Sequence, residues 1–277
     1  MKPLDYNTGV VPSWCPGCGN FAIWNSIKKA LSESDRQPYQ TALVSGIGCS
    51  GKMSNHVKAY TLHGLHGRTL PVATGIKLAN PEMTVLVNGG DGDGYGMGVG
   101  HFVHAMRRNV DLTYIVHNNR VYGLTTGQAS PTNKEGVVTK STPFGVVDGE
   151  MNPLALALVS GATFVARSFS ADSDQMAELI QQAMDHKGFA YIDVLQPCVT
   201  FGGKFQYDYY HEKVYHIDEK HDTSDMGAAM KLVSESEKLP LGLFYKEEKD
   251  DYNSRHPEIA KAKVEKRDVR DLLNSHR

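Results

Sequence analysis

Gly90-Asp91-Gly92, then 25 residues, then Asn118-Asn119, is the stretch that decides how this chain is read. Mg²⁺ takes six oxygens in near-ideal octahedral geometry and is normally held by one or two protein groups together with phosphate oxygens. Asp91 offers a carboxylate oxygen, Asn119 an amide oxygen, and the backbone carbonyl of Val121 a third. A diphosphate and a water would complete the shell. The intervening segment is about as long as one helix and one strand require.

Working outward, short β-rich runs alternate with helical stretches from about residue 20 to 200. Strands are expected at Thr41–Ser45, Thr84–Asn88, Leu112–His117, Thr163–Arg167 and Ala190–Gln196. All are nearly continuous apolar runs, as in a parallel sheet covered on both faces. Helices are expected at Phe21–Ser32, Val72–Ala79, Val99–Arg108, Pro153–Ser160 and Ser173–His186, with Asn152-Pro153 a good helix start. The alternation implies an α/β fold, a doubly wound, mostly parallel sheet. Cys49 then follows the first strand, Asp91 the second, Asn119 the third and Cys198 the last. Open parallel sheets bind ligands beyond the carboxyl ends of their strands, so four chemical groups converge on one edge.

Gly89–Gly100 holds seven glycines in twelve residues, around Asp91, Asp93 and Tyr95. Such a loop lets backbone approach a phosphate, and the helix that follows offers free N–H groups. It matches G-x-G-x-x-G in no register, which disfavours a nicotinamide cofactor. With Asn118-Asn119 at that distance, the pattern is the thiamine diphosphate (ThDP) motif.

The cysteines are Cys15, Cys18, Cys49 and Cys198. Cys15-Pro16-Gly17-Cys18 can bind one metal centre through both sulfurs, and the other two lie on the same sheet edge. Four thiolates suit zinc or an iron–sulfur cluster, with unconnected buried cysteines the plain alternative. Two isolated, widely separated ligands are unusual for structural zinc, and a redox cluster beside a cofactor gives the arrangement a purpose. Gly46–Met53 nearly spells a nucleotide-binding P-loop, but Met53 has no hydroxyl to offer Mg²⁺. That loop is read instead as bringing Cys49 to a metal while its amides, around Ile47 and Gly48, approach the cofactor. In Leu62–Arg68, His63, His66 and Arg68 each read equally well as polar loop residues, and His66, before a glycine, could present its imidazole to the cofactor. Lys52 is a cation that could pair with a substrate carboxylate.

The 277 residues carry a net charge of −2, with 22% charged and 40% hydrophobic residues, an ordinary globular balance without a nucleic-acid footprint. No apolar run reaches the ~18 residues of a membrane span. The first residues lack a signal peptide's apolar stretch, so a cytoplasmic protein is expected.

These segments resemble the β subunit of a 2-oxoacid:ferredoxin oxidoreductase. The matching stretches are Trp14–Gly19, Gly46–Lys52, His63–Arg68 with Pro71–Lys77, Gly90–Gly98 and Asn118–Gln128, and the likeness runs from about residue 10 to 215. It implies a ThDP-binding fold of the diphosphate-binding type, with Mg²⁺ on Asp91, Asn119 and Val121. It implies ThDP against Ile47, Gly48, Cys49, Ser50, His66, Gly92, Asp93, Gly123 and Leu124, and a [4Fe–4S] cluster on Cys15, Cys18, Cys49 and Cys198. Lys52 and Leu124 would face the oxoacid and, with His66, serve catalysis. The Gly51-Lys52 pair and Tyr122-Gly123-Leu124 look like members acting on 2-oxoglutarate, or broadly on 2-oxoacids, more than on pyruvate alone.

The implied reaction turns 2-oxoacid, coenzyme A and two oxidised ferredoxins into acyl-CoA, CO₂ and two reduced ferredoxins. ThDP needs an activating glutamate, yet between residues 34 and 134 only Glu82 occurs, in a turn before a strand, and Glu33 ends a helix. An α subunit is therefore expected to supply that glutamate and most of the coenzyme A site. Residues 1–203 form the cofactor domain in this reading; residues 204–277 are a polar extension, with a last helix near Pro257–Leu273, expected to contact a partner subunit. A non-redox ThDP decarboxylase subunit, a P-loop NTPase and a structural zinc protein are the competing readings.

Overall fold

The computed structural model describes residues 1–235, 237–256, 258 and 274. In chain order the elements are α1 (Asn20–Glu33), β1 (Thr41–Ser45), α2 (Gly48–Gly51), β2 (Tyr60–His63), α3 (Thr69–Ala79), β3 (Thr84–Gly90), α4 (Val99–Arg108), β4 (Leu112–Asn118), β5 (Val121–Tyr122) and β6 (Gln128–Ala129). They continue as α5 (Pro153–Val159), β7 (Phe164–Phe169), α6 (Ser173–Asp185), β8 (Phe189–Leu195), α7 (Tyr207–His211), β9 (Val214–His216), α8 (Met226–Val233) and β10 (Leu239–Lys246). The helix expected near Pro257–Leu273 lies outside the described residues, Glu258 excepted.

One sheet runs β2-β1-β3-β4-β8-β7-β10-β9. The first six strands are mutually parallel, and β10 lies antiparallel on β7. Because side chains alternate along a strand, each face feeds its own core. Leu43, Leu86, Ile115 and Ile192 pack under α1 and α6, where Ile23, Ile27 and Leu31 form a stripe at helical spacing against Met176 and Ile180. Val44, Val87, Tyr114 and Tyr191 face the other way, under Leu70, Phe102, Met106 and Leu158 of α3, α4 and α5, with Val233 of α8. The result is a three-layer α/β/α fold with the central strands of its sheet buried on both faces.

Local chemistry sets the element ends. The Asn152 side chain accepts from the Ala155 N–H at 3.1 Å and Pro153 opens α5. Asn109 closes α4 in the left-handed region (φ 53°). The strands and helices expected between residues 20 and 200 form, with ends shifted by a few residues. Strands β2 and β10 were not expected. Strand β2 is exposed at all four positions and so has no apolar run to read. Strand β10 carries Pro240 and Gly242, residues that punctuate rather than signal a strand. Among the described residues no helix is long and apolar enough to cross a membrane.

Candidate functional site

From β1 the chain steps outward to β2, then returns past β1 to β3. The switch point of this doubly wound sheet therefore lies between β1 and β3, and a crevice opens at their carboxyl ends. A cavity of about 340 Å³ occupies it, walled by Ile47, Gly48, Cys49 and Ser50 after β1, His66 after β2, Gly90–Asp93 after β3, and Asn119 and Val121–Thr125 after β4. The loop after β1 closes into the four-residue helix α2, not the long helix of a nucleotide P-loop.

Asp91 is buried at 1% exposure. Ser130 and Thr132 both donate to its Oδ2, at 2.5 and 2.8 Å, so one oxygen is fixed by two hydroxyls. Burial pushes its carboxyl above the usual range, with those hydroxyls and the N–H groups of Gly92 and Asn119 opposing. Asn119 Oδ1 accepts from the Val121 N–H at 3.1 Å, an Asx-type turn that needs Arg120 in the left-handed region (φ 63°). Arg120 is anchored there: its guanidinium donates to Glu150 and to the Thr132 carbonyl and lies 5.1 Å from the Phe205 ring centre.

Asp93 ties the loops together. Its Oδ1 accepts from Gly67 N–H at 2.8 Å and, more weakly, from Ile47 N–H at 3.4 Å, fixing the loops that carry His66 and Ser50. A Cβ at Gly46 would collide with that carboxylate, and one at Gly92 with the Tyr122 ring. On the cavity wall, His66 leaves Nε2 buried and, among the described residues, without a partner.

His117 lies between the amides of Asn20 and Asn88, at 2.7 and 3.0 Å. Burial lowers its pKa to about 3, so the ring is neutral. His186, against Thr163 Oγ1 at 2.7 Å and remote from the cavity, is lowered by burial too. A histidine lowered this way binds fewer protons folded than unfolded. Its contribution to stability is complete above its ordinary pKa of about 6.5 and is lost as pH falls below it. The unfolding free energy from urea titrations should therefore drop between pH 7.5 and 5.5, by at most about 1.4 kcal/mol per pH unit for each such histidine. His186→Gln should flatten that dependence; an unchanged slope would refute the assignment.

A second cavity, of about 190 Å³, holds all four cysteines. It shares Cys49, Asn119, Gly123 and Leu124 with the first, so the two adjoin along one wall. Cys18 N–H closes a turn on Cys15 O at 3.0 Å, with Gly17 at φ 79°. Trp14 Nε1 donates to Cys49 O at 2.7 Å, and Gln196 Nε2 donates to Cys18 Sγ at 3.4 Å. Burial, helped by the other three sulfurs, pushes the Cys18 thiol up to about 11; burial raises Cys49 as well, against the pull of Lys52. Among the described residues no three His, Cys, Asp or Glu side chains converge as ligands of one ion. Zn–S bonds of about 2.3 Å would draw tetrahedral thiolates to about 3.8 Å from one another. Here the sulfurs line a cavity instead.

The first cavity thus gathers Ile47, Gly48, Cys49, Ser50, His66, Asp91, Gly92, Asp93, Asn119, Val121, Gly123 and Leu124. Lys52 is not on it: it lines the cysteine cavity, with Nζ 3.3 Å from Ser13 O. His63 and Arg68 are exposed. Sequence reasoning missed Ser130, Thr132, His117 and Gln196; Ser130 and Thr132 sit in a polar loop that reads as an ordinary turn. Among the described residues no glutamate lines the first cavity, and Glu82, before β3, belongs to the opposite edge of the sheet. Oxygen donors on Asp91 and Asn119, the unpartnered His66 nitrogen, and open space over Gly48 (φ 85°) fit a cation-bound diphosphate. Four thiols round one cavity fit a group larger than a single ion.

Residues 46–194 match the family of thiamine pyrophosphate enzymes, C-terminal TPP binding domain, and residues 198–261 the C-terminal family of the pyruvate ferredoxin oxidoreductase beta subunit. The 2-oxoacid:ferredoxin oxidoreductase subunit beta of Saccharolobus solfataricus is 50% identical over 249 residues, 85% of this chain and 82% of that one. The 2-oxoglutarate synthase subunit KorB of Methanocaldococcus jannaschii is 42% identical over 192 residues, 69% of this chain and 71% of that one. A solved structure, the 2-oxoglutarate:ferredoxin oxidoreductase from Magnetococcus marinus with 2-oxoglutarate, coenzyme A and succinyl-CoA bound, superposes with a TM-score of 0.92 at 42% identity, covering 100% of this chain and 96% of that one. With that geometry and these relatives, the chain belongs to the β subunits of the 2-oxoacid:ferredoxin oxidoreductases.

Proposed function

We propose that this chain is the ThDP-carrying subunit of an enzyme that oxidatively decarboxylates 2-oxoglutarate with coenzyme A and passes the electrons to ferredoxin. The observation that carries the reading is the wall of Cys49, Asn119, Gly123 and Leu124 common to the diphosphate-type cavity and the four-cysteine cavity. Carbon chemistry on one side and single-electron chemistry on the other need that adjacency. The preference for 2-oxoglutarate over pyruvate draws support from the ligands of the Magnetococcus marinus enzyme.

Asp91, Asn119 and the Val121 carbonyl would hold Mg²⁺, Asp91 through Oδ1, the oxygen to which neither hydroxyl donates. Gly48, Ser50, Gly92 and Gly123 would let backbone and small side chains close on the diphosphate, while Asp93 fixes the Ile47 and Gly67 amides. His66, its Nε2 free, would donate to or relay a proton at the cofactor. When bound, ThDP supplies the electron sink for decarboxylation, and a [4Fe–4S] cluster on Cys15, Cys18, Cys49 and Cys198 accepts electrons singly. Leu124, half exposed on the shared wall, and Lys52 beyond it would face the oxoacid and its carboxylate. An α subunit would bring the activating glutamate and the coenzyme A site, with residues 204–277 contributing to the contact.

The test is an anaerobic iron, sulfide and zinc analysis, with an absorption spectrum, of the chain co-expressed with its partner. About four irons and four sulfides per chain, with a visible band bleached by 2-oxoglutarate plus coenzyme A, are expected. One zinc without a visible band would overturn the redox reading, and turnover by the isolated chain would overturn the need for a partner.

A further inference from the structure

Gln196 directly follows β8 on the way to Cys198 and is buried at 1% exposure. Its backbone N–H donates to Asn118 O at 2.9 Å, which pins it beside the Asn118-Asn119 turn. The side chain then reaches two ways. Nε2 donates to Cys18 Sγ at 3.4 Å and to Pro197 O at 2.9 Å. Oε1 accepts from Asn119 Nδ2 at 3.3 Å. Gly19 makes room for it: a Cβ there would stand 2.8 Å from Gln196 Cγ. A single amide therefore spans the cysteine cavity and the residue expected to ligate the diphosphate's cation.

We propose that Gln196 is a positioning residue that serves both centres, through Cys18 on one side and Asn119 on the other. This rests on the cluster reading given above. An amide N–H on a ligand sulfur disperses negative charge there and so favours the reduced, more negative cluster, one of the known controls on cluster potential. The carbonyl end does a different task. By taking Asn119 Nδ2, it fixes which way that amide lies, leaving Oδ1 to the Val121 N–H and the cation. Second partners of this kind typically change metal affinity 10- to 100-fold when removed.

Two variants of nearly the same shape separate the halves. Gln196→Glu keeps an acceptor for Asn119 Nδ2 but has no N–H for Cys18. Gln196→Met has neither. Both are assayed as holoenzyme with the partner subunit, by paramagnetic-resonance-monitored redox titration and by equilibrium dialysis of ThDP at limiting Mg²⁺. For Gln196→Glu the one-electron reduction equilibrium should shift about tenfold toward the oxidised cluster, a midpoint about 59 mV lower. Its ThDP half-saturation should stay within about threefold of wild type, because the acceptor survives. For Gln196→Met the midpoint should fall and half-saturation should also rise, by about tenfold. A Gln196→Glu midpoint equal to wild type, or both variants moving both readouts in parallel as general loosening would, overturns the proposal. Wild-type holoenzyme without iron would overturn the cluster reading and this inference with it; iron-loaded wild type with an unmoved variant midpoint overturns this inference alone.

Discussion

Asp91→Asn is expected to abolish Mg²⁺-dependent ThDP binding while slightly raising the stability of the cofactor-free protein. The two effects share one cause. Asp91 is a buried carboxylate whose partners are neutral, two hydroxyls and backbone N–H groups, and burial outweighs them enough to raise its pKa. A carboxylate in such a place is costly until a cation joins it. Asparagine keeps an oxygen for Ser130 and Thr132 and discards the charge. We expect a gain of about 1 kcal/mol at neutral pH, a Tm rise of about 2 °C for a chain of this size.

The loss on the functional side is far larger. Removing the charged ligand takes several kcal/mol from a diphosphate–Mg²⁺ site, and about 4 kcal/mol corresponds to a thousandfold in turnover. Thermal melts give the cleanest contrast. Wild-type protein with ThDP and Mg²⁺ at a thousand times Kd should gain about 4 kcal/mol, and the variant should gain nothing. Saturable Mg²⁺-dependent binding by Asp91→Asn at wild-type affinity would remove Asp91 from the metal site.

What was legible in the sequence follows the strength of the local signal. The five core strands are buried on both faces and so wrote themselves as apolar runs. Strand β2 holds its place through parallel pairing with β1 alone, and pairing leaves no mark on side-chain pattern. Strand β10 tolerates Pro240 where it pairs with the short β9, and Gly242 (φ 133°) where its pairing with β7 begins, ahead of the register shift between Leu243 and Tyr245. Asp91 and Asn119 could be read as a pair because a cation-binding pattern prescribes both residue type and spacing, and the two line one cavity. Ser130 and Thr132 could not. Their use depends on the chain after Tyr122 folding back so that two hydroxyls meet Asp91, a tertiary event with no periodicity. Gln196 was hidden for a similar reason. It reads as the polar end of a strand, and only the approach of Gly19 and Asn119 from distant segments shows what its amide does.

Gly123→Val is expected to empty the cysteine cavity of iron while leaving the fold intact. Gly123 stands on the wall between the two cavities, and a Cβ there would point to the cysteine side, 3.4 Å from Cys198 Sγ and 3.9 Å from Cys49 Sγ. Those are ordinary contact distances, so in the cofactor-free chain Gly123→Ala should cost less than about 1 kcal/mol. A cluster bridging those sulfurs would compete for the same volume, in a cavity of only about 190 Å³. Iron loading should therefore respond where stability does not. We expect reduced loading for Gly123→Ala and fewer than about one iron per chain for Gly123→Val, against about four in wild type. Urea unfolding of the two apoproteins tests the fold, and iron analysis after anaerobic reconstitution tests the cavity. Full loading of Gly123→Val would mean that the space between Cys49 and Cys198 is not where a cluster sits. Loss of iron in step with loss of stability would mean that Gly123 is needed for the fold rather than for the room it leaves.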